Sequence, residues 1–79
     1  MIAVKPATVH EGAIYVTFAK NQPQYDPLPA AVDADGVVMT EWEFTAEELA
    51  AALAGGRLRL WVWTFNQPLQ PLKIEVVRS

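Results

Sequence analysis

The sequence predicts an α+β fold in which a small antiparallel β-sheet of about four to five strands carries one short α-helix packed on one face. Three observations predict it: apolar and polar residues alternate in several short segments, one alanine-rich segment begins with helix-capping residues, and turn residues separate these segments. A chain of 79 residues has room for one modest core. We therefore expect residues 1–79 to form a single domain.

The first strand is predicted at residues 13–18, where apolar and polar side chains alternate with a period of two. Glu11-Gly12 is a turn signal, so residues 4–9 are expected to pair with this strand as a hairpin. Three prolines within residues 21–29 remove backbone donors and predict a loop.

A turn and a capped helix are predicted next. Asp33 to Gly36 has turn chemistry, and residues 37–44 should form the strand that leaves this turn. Thr45 and Glu48 have the spacing of a capping box, in which each side chain bonds the backbone N–H of the other residue. The helix should run from Ala46 to about Ala54 and end at the glycine pair that follows.

The last two strands are predicted at residues 57–65 and 72–77, joined by a proline-containing loop and paired as an antiparallel hairpin. The first of them has two different faces. One face is aliphatic and consists of Leu58, Leu60 and Val62. The other, which we call the aromatic–arginine face, consists of Arg57, Arg59, Trp61, Trp63 and Phe65. The pattern does not indicate which face is buried.

The residue inventory argues against most catalytic chemistry. The chain has no cysteine, which excludes thiol chemistry and thiolate zinc sites, and its single serine, Ser79, and single histidine, His10, lie far apart in sequence. We therefore expect no enzyme activity, no metal and no cofactor. No apolar run approaches the roughly 20 residues of a membrane-spanning helix, and no targeting segment is evident. These features predict a soluble protein, and the lack of cysteine fits a reducing cytoplasm.

Charge is unevenly distributed along the chain. The net charge of -3 combines an acidic segment, residues 33–48, with a basic region, residues 57–79. The acidic segment has six carboxylates and no lysine or arginine: Asp33, Asp35, Glu41, Glu43, Glu47 and Glu48. Such a segment favours contact with a basic protein surface, and we take Asp33, Asp35, Glu41, Glu43 and Glu47 as candidate partner-binding residues. The alternative is a local role for four of the acids, in the turn and at the helix start.

The aromatic–arginine face has three interpretations. It can be core, buried under the helix or under the proline loop. It can be a protein interface, because tryptophan and arginine are enriched at binding hot spots, which makes Arg57, Arg59, Trp61 and Trp63 further candidate partner-binding residues. It can also be a platform for single-stranded nucleic acid, although the acidic total argues against direct nucleic-acid binding.

Several motifs spread over residues 14–77 resemble those of small phage and prophage proteins. They are Gln24-x-x-x-Leu28-Pro29-Ala30, Asp35-Gly36-x-Val38-x-Thr40-x-Trp42, Thr45-x-x-Glu48, Gly56-x-Leu58-x-Leu60 and Thr64-Phe65-x-x-Pro68-Leu69-Gln70-Pro71. A chain of this size in a phage setting is also similar, more loosely, to the anti-CRISPR proteins.

The resemblance implies a non-enzymatic inhibitor that binds a subunit of a type I (I-C-like) CRISPR-Cas Cascade complex and prevents recognition of target DNA. It would act in the cytoplasm of the bacterial host. Occupation of a basic DNA-binding surface by the acidic segment, as a partial DNA mimic, and a steric interface are both consistent with the charges. The other function left open is that of a small phage structural or assembly protein, and homodimer formation is open in either case.

Overall fold

The computed structural model describes residues 1–77, and within them it contains five β-strands in two antiparallel sheets and one α-helix. The predicted α+β class is therefore confirmed. The elements are β1 (Ile2–Val4), β2 (Ile14–Phe18), β3 (Leu28–Val32), β4 (Val38–Met39), β5 (Glu41–Glu43) and α1 (Ala46–Leu53).

The three-stranded sheet has the order β2-β3-β4. The strand predicted at residues 13–18 is confirmed as β2, and its Val16 lies opposite Ala30 of β3. The loop predicted over residues 21–29 is wrong at its end, because Leu28 and Pro29 already belong to β3. Proline is tolerated near the start of a strand, where one missing donor interrupts little of the ladder.

The two-stranded sheet pairs β1 with β5, so that Ile2 lies opposite Glu43. The hairpin predicted between residues 4–9 and 13–18 is therefore wrong. Pro6 ends the first strand soon after it begins, because it lacks the N–H that a ladder needs. Pro6 is buried, and its carbonyl accepts a hydrogen bond from the Tyr15 hydroxyl at 3.0 Å.

The predicted turn at Asp33 to Gly36 is confirmed. The Asp33 Oδ1 atom accepts hydrogen bonds from the backbone N–H groups of Asp35 and Val37, each at 2.9 Å. Gly36 has a φ of 80°, which glycine adopts without steric cost. The strand expected after the turn is present as β4 and β5, separated by Thr40.

The predicted helix start is confirmed. The Thr45 hydroxyl accepts from the Glu48 N–H at 3.2 Å, and the Glu48 carboxylate accepts from the Thr45 N–H at 2.8 Å, which completes the capping box. No residue of α1 is buried, so the packing expected between the helix and a sheet face is absent. Local capping, rather than burial of an apolar stripe, therefore defines where this helix begins.

The helix ends in a Schellman motif, as the glycine pair predicts. The N–H of Gly55 donates to the carbonyl of Ala52 at 3.1 Å, and the N–H of Gly56 donates to the carbonyl of Ala51 at 2.9 Å. Gly55 has a φ of 92°. A Cβ atom at Gly56 would lie 2.7 Å from the Ala51 oxygen, so this position is sterically restricted to glycine.

The two C-terminal strands predicted at residues 57–65 and 72–77 are wrong, since neither stretch forms a strand in the described chain. Only the reversal between them is present. The Gln67 N–H donates to the Thr64 carbonyl at 3.0 Å, and Phe65 and Asn66 have φ values of 53° and 66°, both positive as in a type I′ hairpin turn.

Proline gives a physical reason why the ladder does not extend from this turn. A two-residue turn between Thr64 and Gln67 places Leu60 opposite Pro71, at a position where two strands exchange backbone hydrogen bonds. Pro71 has no N–H to contribute there. The hairpin therefore loses a bond within a few residues of its turn.

Replacement of the helix cap should destabilise the protein measurably. We expect Thr45→Ala to lower the free energy of unfolding by about 1 kcal/mol, because the Glu48 N–H loses its acceptor. Urea titration followed by far-UV circular dichroism measures this change. Thr45→Ser keeps the hydroxyl and should retain most of the stability; an equal loss in both variants would contradict a capping role.

Candidate functional site

Asp33, the first acid of the acidic segment, is engaged in the fold. Besides its two bonds to backbone N–H groups, its carboxylate lies 3.2 Å from His10 Nε2, and its side chain is largely covered. The Val37 N–H, followed by the Asp35 N–H and the His10 ring, lowers the pKa of Asp33 below its usual value against the opposing effect of desolvation. These contacts indicate a structural role in the β3–β4 turn.

Two glutamates of the same segment also have partners within the chain. Glu48 accepts the Thr45 N–H and, through its other oxygen, lies 2.6 Å from the terminal ammonium group of Met1. The ammonium group, and next the Thr45 N–H, lower the pKa of Glu48 below its usual value. Glu41 is half-buried and accepts the Ala7 N–H at 3.3 Å. Both carboxylates therefore help to connect the first residues of the chain to β5 and α1.

Three acids remain exposed to solvent, namely Asp35, Glu43 and Glu47. No ion pair within residues 1–77 involves their carboxylates. Of the five acidic candidates from the sequence, these three have the geometry of surface groups that a basic partner can reach. Asp33 and Glu41 instead have intramolecular hydrogen bonds that binding would have to preserve.

The aromatic–arginine face is exposed. Trp61 has 68% of its surface accessible and Trp63 has 74%, while Arg57 and Arg59 are also exposed. The interpretation of these tryptophans as buried core is therefore wrong within one copy of the chain. The Arg59 guanidinium lies 5.9 Å from the Trp61 ring centroid, a cation–π contact between neighbours on one face of an extended chain.

The aliphatic face of the same stretch is exposed as well, with Leu58 at 54% and Leu60 at 52% accessible. Both faces of this stretch are therefore exposed in a single copy, and neither of them is buried against the sheets.

The structure brings part of the acidic segment close to the start of the basic region. Phe44, Glu48, Arg57 and Arg59 are among the residues that line an open depression of about 300 Å³. The depression joins opposite charges and apolar surface at one place. Sequence reasoning did not find this juxtaposition, because it brings together Met1, Phe44 and Arg57, which are far apart along the chain.

Sequence reasoning also missed the exposed edge of the three-stranded sheet. Strand β2 lies at that edge, and its Ile14, Tyr15 and Phe18 side chains are exposed. The available signal was the absence of any charged residue in β2, since natural edge strands commonly carry lysine, proline or a bulge that prevents further pairing.

Residues 1–77 contain no cluster of three or more metal-binding side chains. No helix in the same residues has the length and apolar character that crossing a membrane requires. Comparisons with protein-family models, with curated proteins and with solved structures found no match to this chain. A functional proposal therefore depends on the chemistry of the protein's surface.

The lowered pKa of Asp33 predicts a loss of stability in acid. A carboxylate whose pKa is lowered on folding stabilises the protein fully at a pH above its pKa in the unfolded chain, which is about 4. This stability is lost as the pH falls through its pKa in the folded chain. Asp33→Asn retains an oxygen acceptor for the turn but does not titrate. Thermal melts between neutral pH and pH 3 should therefore show a shallower acid decline for this variant, and identical declines would contradict the assignment.

Proposed function

We propose that this protein is a phage-encoded, non-enzymatic inhibitor that acts by stoichiometric binding to a host defence complex. The observation that carries the proposal is the exposure of Trp61 and Trp63 beside Arg57 and Arg59 in a segment without sheet partners. Tryptophan and arginine dominate binding hot spots, because they combine a large contact area with directional polar groups. An exposed group of this kind is typical of a surface that a partner desolvates.

The partner we propose is a subunit of a type I CRISPR-Cas Cascade complex of the I-C kind, in the cytoplasm of the bacterial host. The resemblance to small phage and anti-CRISPR proteins supports this choice. Charge supports it too, because a complex that binds DNA presents basic surfaces, and the acidic segment has complementary charge. Occupation of such a surface would prevent the complex from recognising target DNA.

The contacts and exposure of the six carboxylates in the acidic segment favour a mixed interface over pure DNA mimicry. Asp33, Glu41 and Glu48 are occupied by contacts within the fold, which leaves Asp35, Glu43 and Glu47 as the exposed carboxylates of the acidic segment. Three exposed carboxylates provide long-range attraction but little of the charge density of a DNA backbone. We therefore assign steering to the acids and most of the binding free energy to the tryptophans.

A tryptophan variant tests the anchor role. Trp63→Ala should weaken binding to purified Cascade about 30-fold, as expected for loss of a hot-spot residue worth about 2 kcal/mol. The melting temperature should change little, because Trp63 is already exposed. Tyr25→Ala, which removes an exposed aromatic ring from the proline-rich loop, is the matched control and should bind normally.

Failure of the unsubstituted protein to co-elute with any type I Cascade, together with undiminished DNA binding by those complexes, would reject the proposed partner. Retained affinity in Trp63→Ala would instead reject the anchor while leaving the partner in place. The two outcomes are separable, because the first is read with the native chain.

Charge reversal tests the steering role. Glu43→Lys with Glu47→Lys should slow association with a basic partner and reduce the dependence of the association rate on salt. The control, Glu11→Lys with Asp26→Lys, makes the same change in net charge outside the acidic segment at two exposed positions. Surface plasmon resonance at several salt concentrations measures both. Equal slowing in the two pairs would show that only net charge matters.

The second candidate function is a structural or assembly protein of the virion. The exposed apolar side chains of residues 58–77 favour it, since assembly proteins commonly complete their cores only when they join a larger particle. Mass spectrometry of purified phage particles distinguishes the candidates. Stoichiometric presence of the chain in particles supports assembly, and absence from particles with co-elution from Cascade supports inhibition.

A further inference from the structure

The chain exposes far more surface than a compact monomer of its size. Its accessible area is 7373 Å². A compact monomer of 8.7 kDa exposes about 4,700 Å² according to the scaling of area with mass. Its radius of gyration is 14.2 Å, whereas a compact domain of this length has about 12 Å. The surplus is well above the roughly 800 Å² that each partner buries in a standard interface.

The surplus area is concentrated in the C-terminal arm, which we define as residues 57–77. Every arm residue is exposed except Thr64, which is half-buried. The body, which we define as residues 1–56, buries few side chains. Pro6, Ala30 and Ala31 are its only buried residues, and none of them is large. The large apolar side chains of the arm and the uncovered body thus complement each other.

The helix end fixes the path by which the arm leaves its own body, and the first arm residues, 57–59, line a depression with that body. The Schellman hydrogen bonds of Gly55 and Gly56 fix the path of the chain after α1, and the contact between Gly56 and the Ala51 oxygen leaves no room for a side chain. A short, fixed connection limits how the rest of an element can fold back on its own domain, which favours packing of that element on a second copy.

Strand β2 offers the arm a place to bind. It is an edge strand of five residues without charge, and its Ile14 side chain is 67% exposed. The first stretch of the arm, residues 57–63, contains no proline and can donate hydrogen bonds along its whole length. Residues 68 and 71 are prolines, which restricts the second stretch of the arm to an outer position.

Charge also favours contact between copies. The arm has a positive net charge, since it contains Arg57, Arg59 and Lys73 against Glu75. The charged residues of the acidic segment are all carboxylates. The attraction between the basic arm and the acidic segment acts at long range, because β4 lies at the sheet edge opposite β2, and a reciprocal arrangement uses it once in each direction. A two-fold axis closes this arrangement, so that no further copies can add.

We infer that two copies of this chain exchange their C-terminal arms, with residues 57–63 of each copy paired along β2 of the other. The aliphatic face, with Leu58, Leu60 and Val62, then lies beside the exposed Ile14 and Phe18 side chains of the second copy, on the same face of the extended sheet. The aromatic–arginine face then remains outward, available to a third component. The inference does not depend on the proposed function, since the exchange requires no host component.

The mass in solution is the first test. Light scattering of the purified full chain should give twice the 8.7 kDa of one copy across a wide concentration range. A mass of one copy at every concentration, with the circular dichroism of a folded protein, would overturn the inference.

Crosslinking tests the path of the arm. Because the chain has no cysteine, Thr17→Cys and Leu60→Cys introduce unique thiols in β2 and in the arm. Chains carrying one or the other are unfolded together, refolded as a mixture and treated with a short bismaleimide. Efficient formation of a product of twice the mass that contains one chain of each kind supports exchange. A dimer without this product, or a doubly substituted chain linked only within itself, would overturn it.

Charged substitutions test which face is covered. Val62→Glu should shift the mass to that of one copy, whereas Trp63→Glu, the neighbouring change on the other face, should leave the dimer intact. Dissociation by Trp63→Glu alone would show that the faces are assigned in reverse and would overturn the outward position of the tryptophans. If Val62→Glu fails to fold, the crosslinking result still decides whether the arms are exchanged.

Discussion

The burial of large apolar side chains is the constraint on which this structure depends. Hydrophobic residues make up 52% of the chain, yet the buried positions in the described residues are Pro6, Ala30 and Ala31. Each local hydrogen bond contributes only about 1 kcal/mol, which cannot offset the conformational entropy of ordering the backbone. In the exchange of arms that we infer, the arm of a second copy supplies further apolar side chains to the sheet.

The acidic segment shows how one set of residues serves both folding and surface charge. Asp33 holds the β3–β4 turn, and Glu48 caps the helix and contacts the first residue of the chain. Their negative charges still contribute to the field around the molecule. Substitution of these two residues would therefore alter the fold and the field together, whereas Glu43 is exposed and Glu47 acts on the fold only through the first turn of α1.

The C-terminal arm has two faces of different chemical character. An extended chain directs alternate side chains to opposite sides, so the aliphatic face and the aromatic–arginine face can contact different molecules at the same time. Exchange of arms would present two sets of tryptophans and arginines on one particle. Two linked copies of a weak surface bind more tightly than one when the partner offers two sites in reach. The exchanged dimer would thereby present a larger surface than one copy does.

The sequence by itself determined the features that residues within a few positions control. The Thr45 and Glu48 cap, the Asp33 turn, the end of the helix at Gly55 and strand β2 all follow from local hydrogen bonding or local alternation. Only the tertiary structure decided that β1 pairs with β5, that β3 begins at Leu28, and that both faces of the arm are exposed. Those outcomes depend on which distant backbone groups and apolar surfaces meet. Alternation along a strand shows that it has two faces, but the partner of each face lies far along the chain or on another molecule.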